Sequence, residues 1–130
     1  MREVKRDSHS ELFDKNLGPQ GQKLDQGKLR WDLLPFAGLE EVVKVLTFGT
    51  IKYSAWNWYR GLSYSKCVSA MFRHFKSWWW DQEDYDTESK CHHLAAVSFY
   101  ALVMLTFALE KRTDIDDRIK KYVSNKQQAI

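Results

Sequence analysis

The chain has 130 residues, 44% of them hydrophobic and 15% aromatic, enough apolar material for one domain with a modest single core and too much for disorder throughout. Its 20 Lys+Arg against 17 Asp+Glu leave a formal charge of +3, too mild for a nucleic-acid coat but compatible with an anionic small molecule. Cys67 and Cys91 provide neither a disulfide framework nor a Cys-x-x-Cys metal spacing, and the polar N-terminus MREVKRDSHSELFDKN has no apolar h-region, so reduced thiols and a cytoplasmic location are expected.

Residues 1–22 are polar, with Gly18-Pro19 and Gly21 breaking any helical or strand period, and are expected to form a flexible N-terminal arm. In GQKLDQGKLRWDLLPF the charges of Lys23, Asp25, Lys28, Arg30 and Asp32 alternate with Leu24, Leu29 and Trp31. This is either a solvated lead-in or an ordered segment that lays cations over phosphates. After Pro35, the spacing of Leu39, Val42, Val43 and Leu46 predicts a first helix over about Phe36 to Phe48, closed near Gly49. Glu40 and Glu41 flank that stripe about 100° apart and could both reach one ion pair, although an acidic doublet is usually just solvated.

The stretch TIKYSAWNWYRGLSY, from Thr50 to Tyr64, has no clean period and reads as an aromatic loop, packed on the core or walling a flat ligand. Val68, Met71, Phe72, Phe75, Trp78 and Trp79 then mark the apolar face of a second helix, about Tyr64 to Trp80, with His74 beside it. A third helix is expected to start near Glu88 or Ser89. Its 16 residues from Leu94 to Leu109 are too few to cross a bilayer and apolar on nearly every side, so it should be central to a bundle or lie at a subunit interface. Thr113-Asp114 looks like the start of a short fourth helix carrying Ile115, Ile119, Tyr122 and Val123, and 124–130 forms a tail after a domain spanning 23–123.

Asp81, Glu83, Asp84, Asp86 and Glu88 fall within eight positions, in the connection between the second and third helices. Antiparallel packing of those helices brings these carboxylates to one end of the hairpin, and an antiparallel first helix adds Glu40 and Glu41 to the region of Arg73, His74 and His93. Converging carboxylates repel unless cations separate them, and Mg²⁺ or Mn²⁺ suits such oxygen donors. Two such ions could clamp a polyphosphate for in-line attack on phosphorus.

GQKLDQGKLRWDLLPFAGLEEVVKVLTFGTIKYSAWNWYRG, followed by RHFKSWWWDQEDYDTESKCHHLA, resembles the phage and bacterial dATP/dGTP diphosphohydrolase family, a MazG-like branch of the all-α nucleoside triphosphate pyrophosphohydrolases. It is similar to the (d)GTP pyrophosphohydrolases of phages with 2-aminoadenine DNA. The resemblance implies an all-α bundle of four or five helices, completed as a homodimer or homotetramer. It implies hydrolysis of dGTP, GTP or dATP to the monophosphate and pyrophosphate, with two or more Mg²⁺ or Mn²⁺ ions, in control of the nucleotide pool. No membrane and no stable nucleic-acid partner are expected.

MazG-type enzymes use E-E-x-x-E on one helix and E-x-x-D on another; here Lys44 takes the third position of the first motif and His93-Leu94-Ala95-Ala96 stands at the second. Metal ligation is therefore assigned among Glu40, Glu41, Glu83, Asp86 and Glu88. Glu41, Arg73 and His74 are the candidate catalytic residues. Lys28, Arg30, Lys52, Asn57, Trp58, Arg73 and His93 are the candidate substrate contacts, while His74 and His93 stand open between ligand and orienting roles. An HD-domain phosphohydrolase lacks its His-Asp dipeptide here, and the Cys and His spacings match no zinc finger. A non-enzymatic helical interaction or nucleic-acid-binding protein is the alternative, since basic residues interleave with tryptophans.

Overall fold

A computed structural model describes residues 21–119, and the chain separates into two compact units, Met1–Leu33 and Leu34–Ile130. In the described part of the first unit, Lys28 N–H donates to Asp25 C=O across a turn that holds Gly27 at φ 82°, and a 3-10 turn covers Trp31–Leu33. Three α-helices form the described part of the second unit: α1 (Phe36–Lys52), α2 (Tyr64–Trp79) and α3 (His93–Leu109). Among the described residues the fold is all-α, with a single isolated antiparallel bridge between Tyr85 and His92.

Helix α1 runs one turn past the expected end at Phe48. Gly49 in a helix interior costs only about 1 kcal/mol relative to Ala. The turn that follows lies along a cavity wall, where Thr50 and Lys52 both contribute. Val43, expected inside, is 49% exposed, because the buried edge runs through Leu39, Val42, Val45 and Leu46.

Helix α2 is rotated relative to the expectation. Its inward face is Tyr64, Cys67, Ala70, Met71, His74 and Trp78, while Phe72, Phe75 and Trp79 are exposed. Small Cys67 and Ala70 let α3 approach closely, and the larger apolar stripe is left outside, where Phe75 and Trp79 stack at 6.4 Å. Cys67, near the start of α2, shares the core with Val103 and Phe107, near the end of α3, and His74 meets His93 at the start of α3. The two helices are therefore antiparallel, as expected. Helix α1 packs chiefly on α3 rather than on α2, because α3 is apolar enough to offer faces to both.

Helix α3 starts four to five residues later than expected. Asp86 Oδ2 accepts from the Ser89 amide and hydroxyl, each at 2.9 Å, and Asp86 C=O accepts from Lys90 N–H, which closes a turn with Lys90 at φ 64°. The bridge, with Asp86 N–H to Cys91 C=O and His93 N–H to Asp84 C=O at 2.8 Å each, keeps the next residues extended until the His92 side chain caps the helix through Leu94 N–H. At the other end Lys111 adopts φ 56° while Arg112 N–H bonds Phe107 C=O and Lys111 N–H bonds Ala108 C=O, a Schellman motif.

The expected fourth helix is not formed over the described residues 113–119; its Tyr122 and Val123 lie outside them. Instead Ile115 is buried and accepts Tyr64 N–H through its carbonyl, and the Asp117 carboxylate accepts from Ser65 N–H and the Ser65 hydroxyl at the start of α2. Arg112 completes the clamp: it donates to Tyr59 C=O and Arg60 C=O, pairs with Asp114 and lies 4.9 Å over the Phe107 ring. Gly61 passes beneath it at φ 120°, where a Cβ would sit 2.7 Å from the guanidinium.

Candidate active site

The segment that follows α1 turns at Trp56, φ 64°, into a 3-10 helix, Asn57–Arg60. Trp58 packs against Trp56, Tyr59 and Phe107 in tilted or edge-on contacts with centroids 5.4–5.9 Å apart, so this segment is fastened to the core by aromatic packing. Between it, α1 and α3 lies a cavity of about 610 Å³, walled by Val45, Phe48, Trp56, Trp58, Phe99 and Tyr100. A volume in this range holds a drug-sized or nucleotide-sized ligand. Its polar groups are gathered from Lys52, Asn57, His74, Asp86, Glu88 and Ser89.

His74 from α2, Asp86 from the connection and His93 from the first turn of α3 bring ligand atoms within 4.8 Å of one another. The two Nδ1 atoms are 2.8 Å apart, so one donates and the other accepts. His93 is 5% exposed, and His74 also stacks on Tyr100. Burial, aided by neighbouring His93 and Arg73, lowers the pKa of His74, so the ring favours its neutral, ligating form. Burial opposes ionisation of Asp86, but the Ser89 amide and hydroxyl and the two histidines outweigh it and hold the carboxyl below its ordinary value. Beside this cluster Lys52 Nζ lies 2.7 Å from Glu88 Oε1, linking the end of α1 to the turn that carries Asp86.

A sequence profile of the family described as dATP/dGTP diphosphohydrolase, N-terminal, matches residues 18–118. The chain belongs to this family. The dATP/dGTP diphosphohydrolase of Salmonella phage PMBT28 is 36% identical over 102 residues, which cover 75% of this chain and 33% of that protein. The chain thus spans about a third of the length of that relative. No solved structure matches it. In this member of the dATP/dGTP diphosphohydrolase N-terminal family, the cavity wall, Asp86 and both histidines all lie inside the matched range.

The sequence-predicted residues distribute unevenly around the site. Lys52, Asn57, Trp58, His74, Asp86 and Glu88 line the one cavity, and His93 meets His74 and Asp86 behind it. Of the five acidic ligand candidates only Asp86 joins the ligand cluster among the described residues; Glu41 is 2.9 Å from Lys44 Nζ, Glu88 is paired with Lys52, and Glu40 and Glu83 are exposed. Arg73 lines a smaller cleft of about 290 Å³ with Lys66, Ser69 and Tyr100, and donates to Ser69 Oγ at 2.8 Å. In the first unit Arg30 is paired with Asp32 at 2.8 Å, and Lys28 closes the turn at Gly27 through its amide.

Sequence reasoning missed Ser89, Phe99 and Tyr100. The spacing Asp86-x-x-Ser89 is that of a side-chain-capped turn and could have shown that Asp86 is held rather than free. Phe99 and Tyr100, both half-buried, had no such signal, because they lie in a helix that is apolar on nearly every side. The donor set also bears on the ion: two imidazoles and one carboxylate can hold a divalent cation, though they are not the oxygen-only set expected for Mg²⁺.

Proposed function

We propose that this chain hydrolyses purine nucleoside and deoxynucleoside triphosphates, dGTP and GTP foremost and dATP in addition, between the α- and β-phosphates, giving the monophosphate and pyrophosphate. One observation carries the reading: an aromatic-walled cavity of about 610 Å³ ends on His74 and Asp86, next to an ammonium group. Family membership and the name of the phage relative support the same chemistry.

In this reading the purine lies between Trp56 or Trp58 and Phe99 or Tyr100, and the Asn57 amide addresses its edge with one acceptor and two donor hydrogens. Lys52 meets the triphosphate. Its pair with Glu88 is solvent-exposed and therefore weak, so a polyphosphate oxygen displaces Glu88 at little cost. His74, Asp86 and His93 hold the divalent ion, with Ser89 orienting Asp86. An ion held by these residues would supply charge stabilisation at the phosphoryl oxygens and would make water a better nucleophile at neutral pH. Glu88, two residues from Asp86 on the same turn, is released once Lys52 turns to the phosphates and can then face the cation. Glu40, Glu41, Glu83 and Arg73 remain candidates for further contacts, as do Lys28 and Arg30.

The chain acts as a homodimer or homotetramer in this account. Phe72, Trp79, Leu102, Leu105 and Leu109 are all exposed on α2 and α3 of the single chain, and a second copy covers them. Light scattering coupled to size exclusion reads this directly. The activity is tested by incubating the purified chain with each dNTP and NTP plus Mg²⁺ or Mn²⁺ and resolving the products. Monophosphate with pyrophosphate supports the reading, while stepwise orthophosphate or no turnover rejects it.

A further inference from the structure

We infer that His74, Asp86 and His93 form a single-ion site selective for a first-row transition dication, of the Mn²⁺, Fe²⁺ or Co²⁺ class, over Mg²⁺. The inference deepens the hydrolase reading and rests on it for the purpose of the ion, but the binding chemistry stands on the geometry alone.

The three donors come from three separate pieces of the fold, α2, the connecting turn and the first turn of α3, and their ligand atoms still converge within 4.8 Å. That convergence is set by the antiparallel packing of α2 on α3 and by the Tyr85–His92 bridge, not by local helix spacing. Two imidazole nitrogens at 2.8 Å are close to the separation of two nitrogen ligands that share one ion, each about 2.1 Å from it. A cation entering there replaces the hydrogen bond between the rings: the proton on one Nδ1 moves to that ring's Nε2, and both Nδ1 lone pairs then face the ion.

The carboxylate is prepared in the same way. Both bonds from Ser89, at 2.9 Å, go to Asp86 Oδ2, which fixes the side chain and leaves Oδ1 without a bond from Ser89. Two imidazole nitrogens and one oxygen leave the other positions of an ion open, and that set suits imidazole-accepting transition ions. Mg²⁺ demands near-ideal octahedral oxygen coordination and gives up water reluctantly, so two imidazoles, one buried and one half-buried, are poor partners for it. The site borders the cavity through His74 and Asp86, so an ion held there stands within reach of the phosphates of a nucleotide whose base fills the aromatic end.

The test uses the full chain, freed of metal by chelation, titrated with Co²⁺ without nucleotide, while visible absorption and bound metal per chain are followed. The account expects one Co²⁺ per chain, a visible ligand-field band, and retention of both in a large molar excess of Mg²⁺. Asp86→Asn and His74→Gln should each lose the band and weaken binding by a hundredfold or more, with circular dichroism unchanged. His93 is buried, so His93→Ala is judged only alongside its melting curve. Absence of the band, displacement by Mg²⁺, or full binding by both folded variants would overturn the inference. This titration contains no nucleotide and so is independent of the activity assay: Co²⁺ binding here with no pyrophosphate release in that separate assay would reject the hydrolase reading and leave the ion site standing, and the reverse pair of results would do the opposite.

Discussion

Replacing Phe107 with Ala should destabilise the fold and the substrate cavity together. Phe107 is fully buried, shares the core with Tyr64, Cys67, Val103 and Ile115, and meets Trp58 at 5.9 Å on one side and the Arg112 guanidinium at 4.9 Å on the other. Truncating a buried phenylalanine to alanine costs about 3–5 kcal/mol through lost burial and the cavity left behind. That is a large share of the roughly 5–15 kcal/mol that holds a domain together. For a chain of this length each kcal/mol lowers the melting temperature by about 3–5 °C, so a drop of roughly 10–25 °C is expected. The assay is thermal unfolding by circular dichroism, with a urea titration to confirm that the midpoint falls while the slope is kept. Trp58 rests on Phe107 and lines the cavity, so dGTP KM should rise in whatever fraction stays folded. Phe107→Leu, which keeps much of the volume, should cost about 1.5 kcal/mol or less. A Phe107→Ala cost below about 1 kcal/mol would refute the packing account.

Three further outcomes follow from the same contacts. Ser89→Ala removes one of the two bonds to Asp86 Oδ2 and should weaken metal affinity by about tenfold to a hundredfold with little change in melting temperature, as read by Co²⁺ titration. If Lys52 meets the triphosphate as proposed, in ground and transition states alike, Lys52→Ala should raise KM for dGTP about tenfold or more and leave kcat within a few fold; an unchanged KM would remove Lys52 from the phosphate site. Gly61→Ala forces a side chain into φ 120° and against Arg112 at 2.7 Å, so it should cost more than about 1 kcal/mol in urea unfolding, whereas Gly49→Ala, with nothing within 4 Å and helical backbone, should be neutral or stabilising.

The three helices were legible because each carries a run of apolar residues at helical spacing, and α2 was placed to within a residue. Which face of α2 turns inward was not legible. Hydrophobicity favours the stripe of Phe72, Phe75 and Trp79, yet close approach of α3 selects the smaller Cys67 and Ala70 and carries His74 inward with them. The late start of α3 was hidden for a related reason. Helix propensity continues back through Glu88 and Ser89, while the competing Asp86 cap and the Tyr85–His92 bridge are tertiary and turn chemistry that no period reports. The missing fourth helix is similar, since Asp117 serves α2 and Arg112 binds the carbonyls of Tyr59 and Arg60. At the site, counting acids drew attention to the connection that carries Asp86. Identifying Asp86 as the acid that meets two histidines required knowing that the first turn of α3 faces the middle of α2.

The central claim is that the His74–Asp86–His93 cluster and the aromatic cavity are two halves of one site. The most direct measurement is the steady-state rate of pyrophosphate release from dGTP, with Mn²⁺ present, for the wild-type chain and for Asp86→Asn. The account predicts pyrophosphate and dGMP from the wild type, and a kcat lower by a hundredfold or more in a variant that melts as the wild type does. Equal rates in the two proteins, or orthophosphate in place of pyrophosphate, would contradict it.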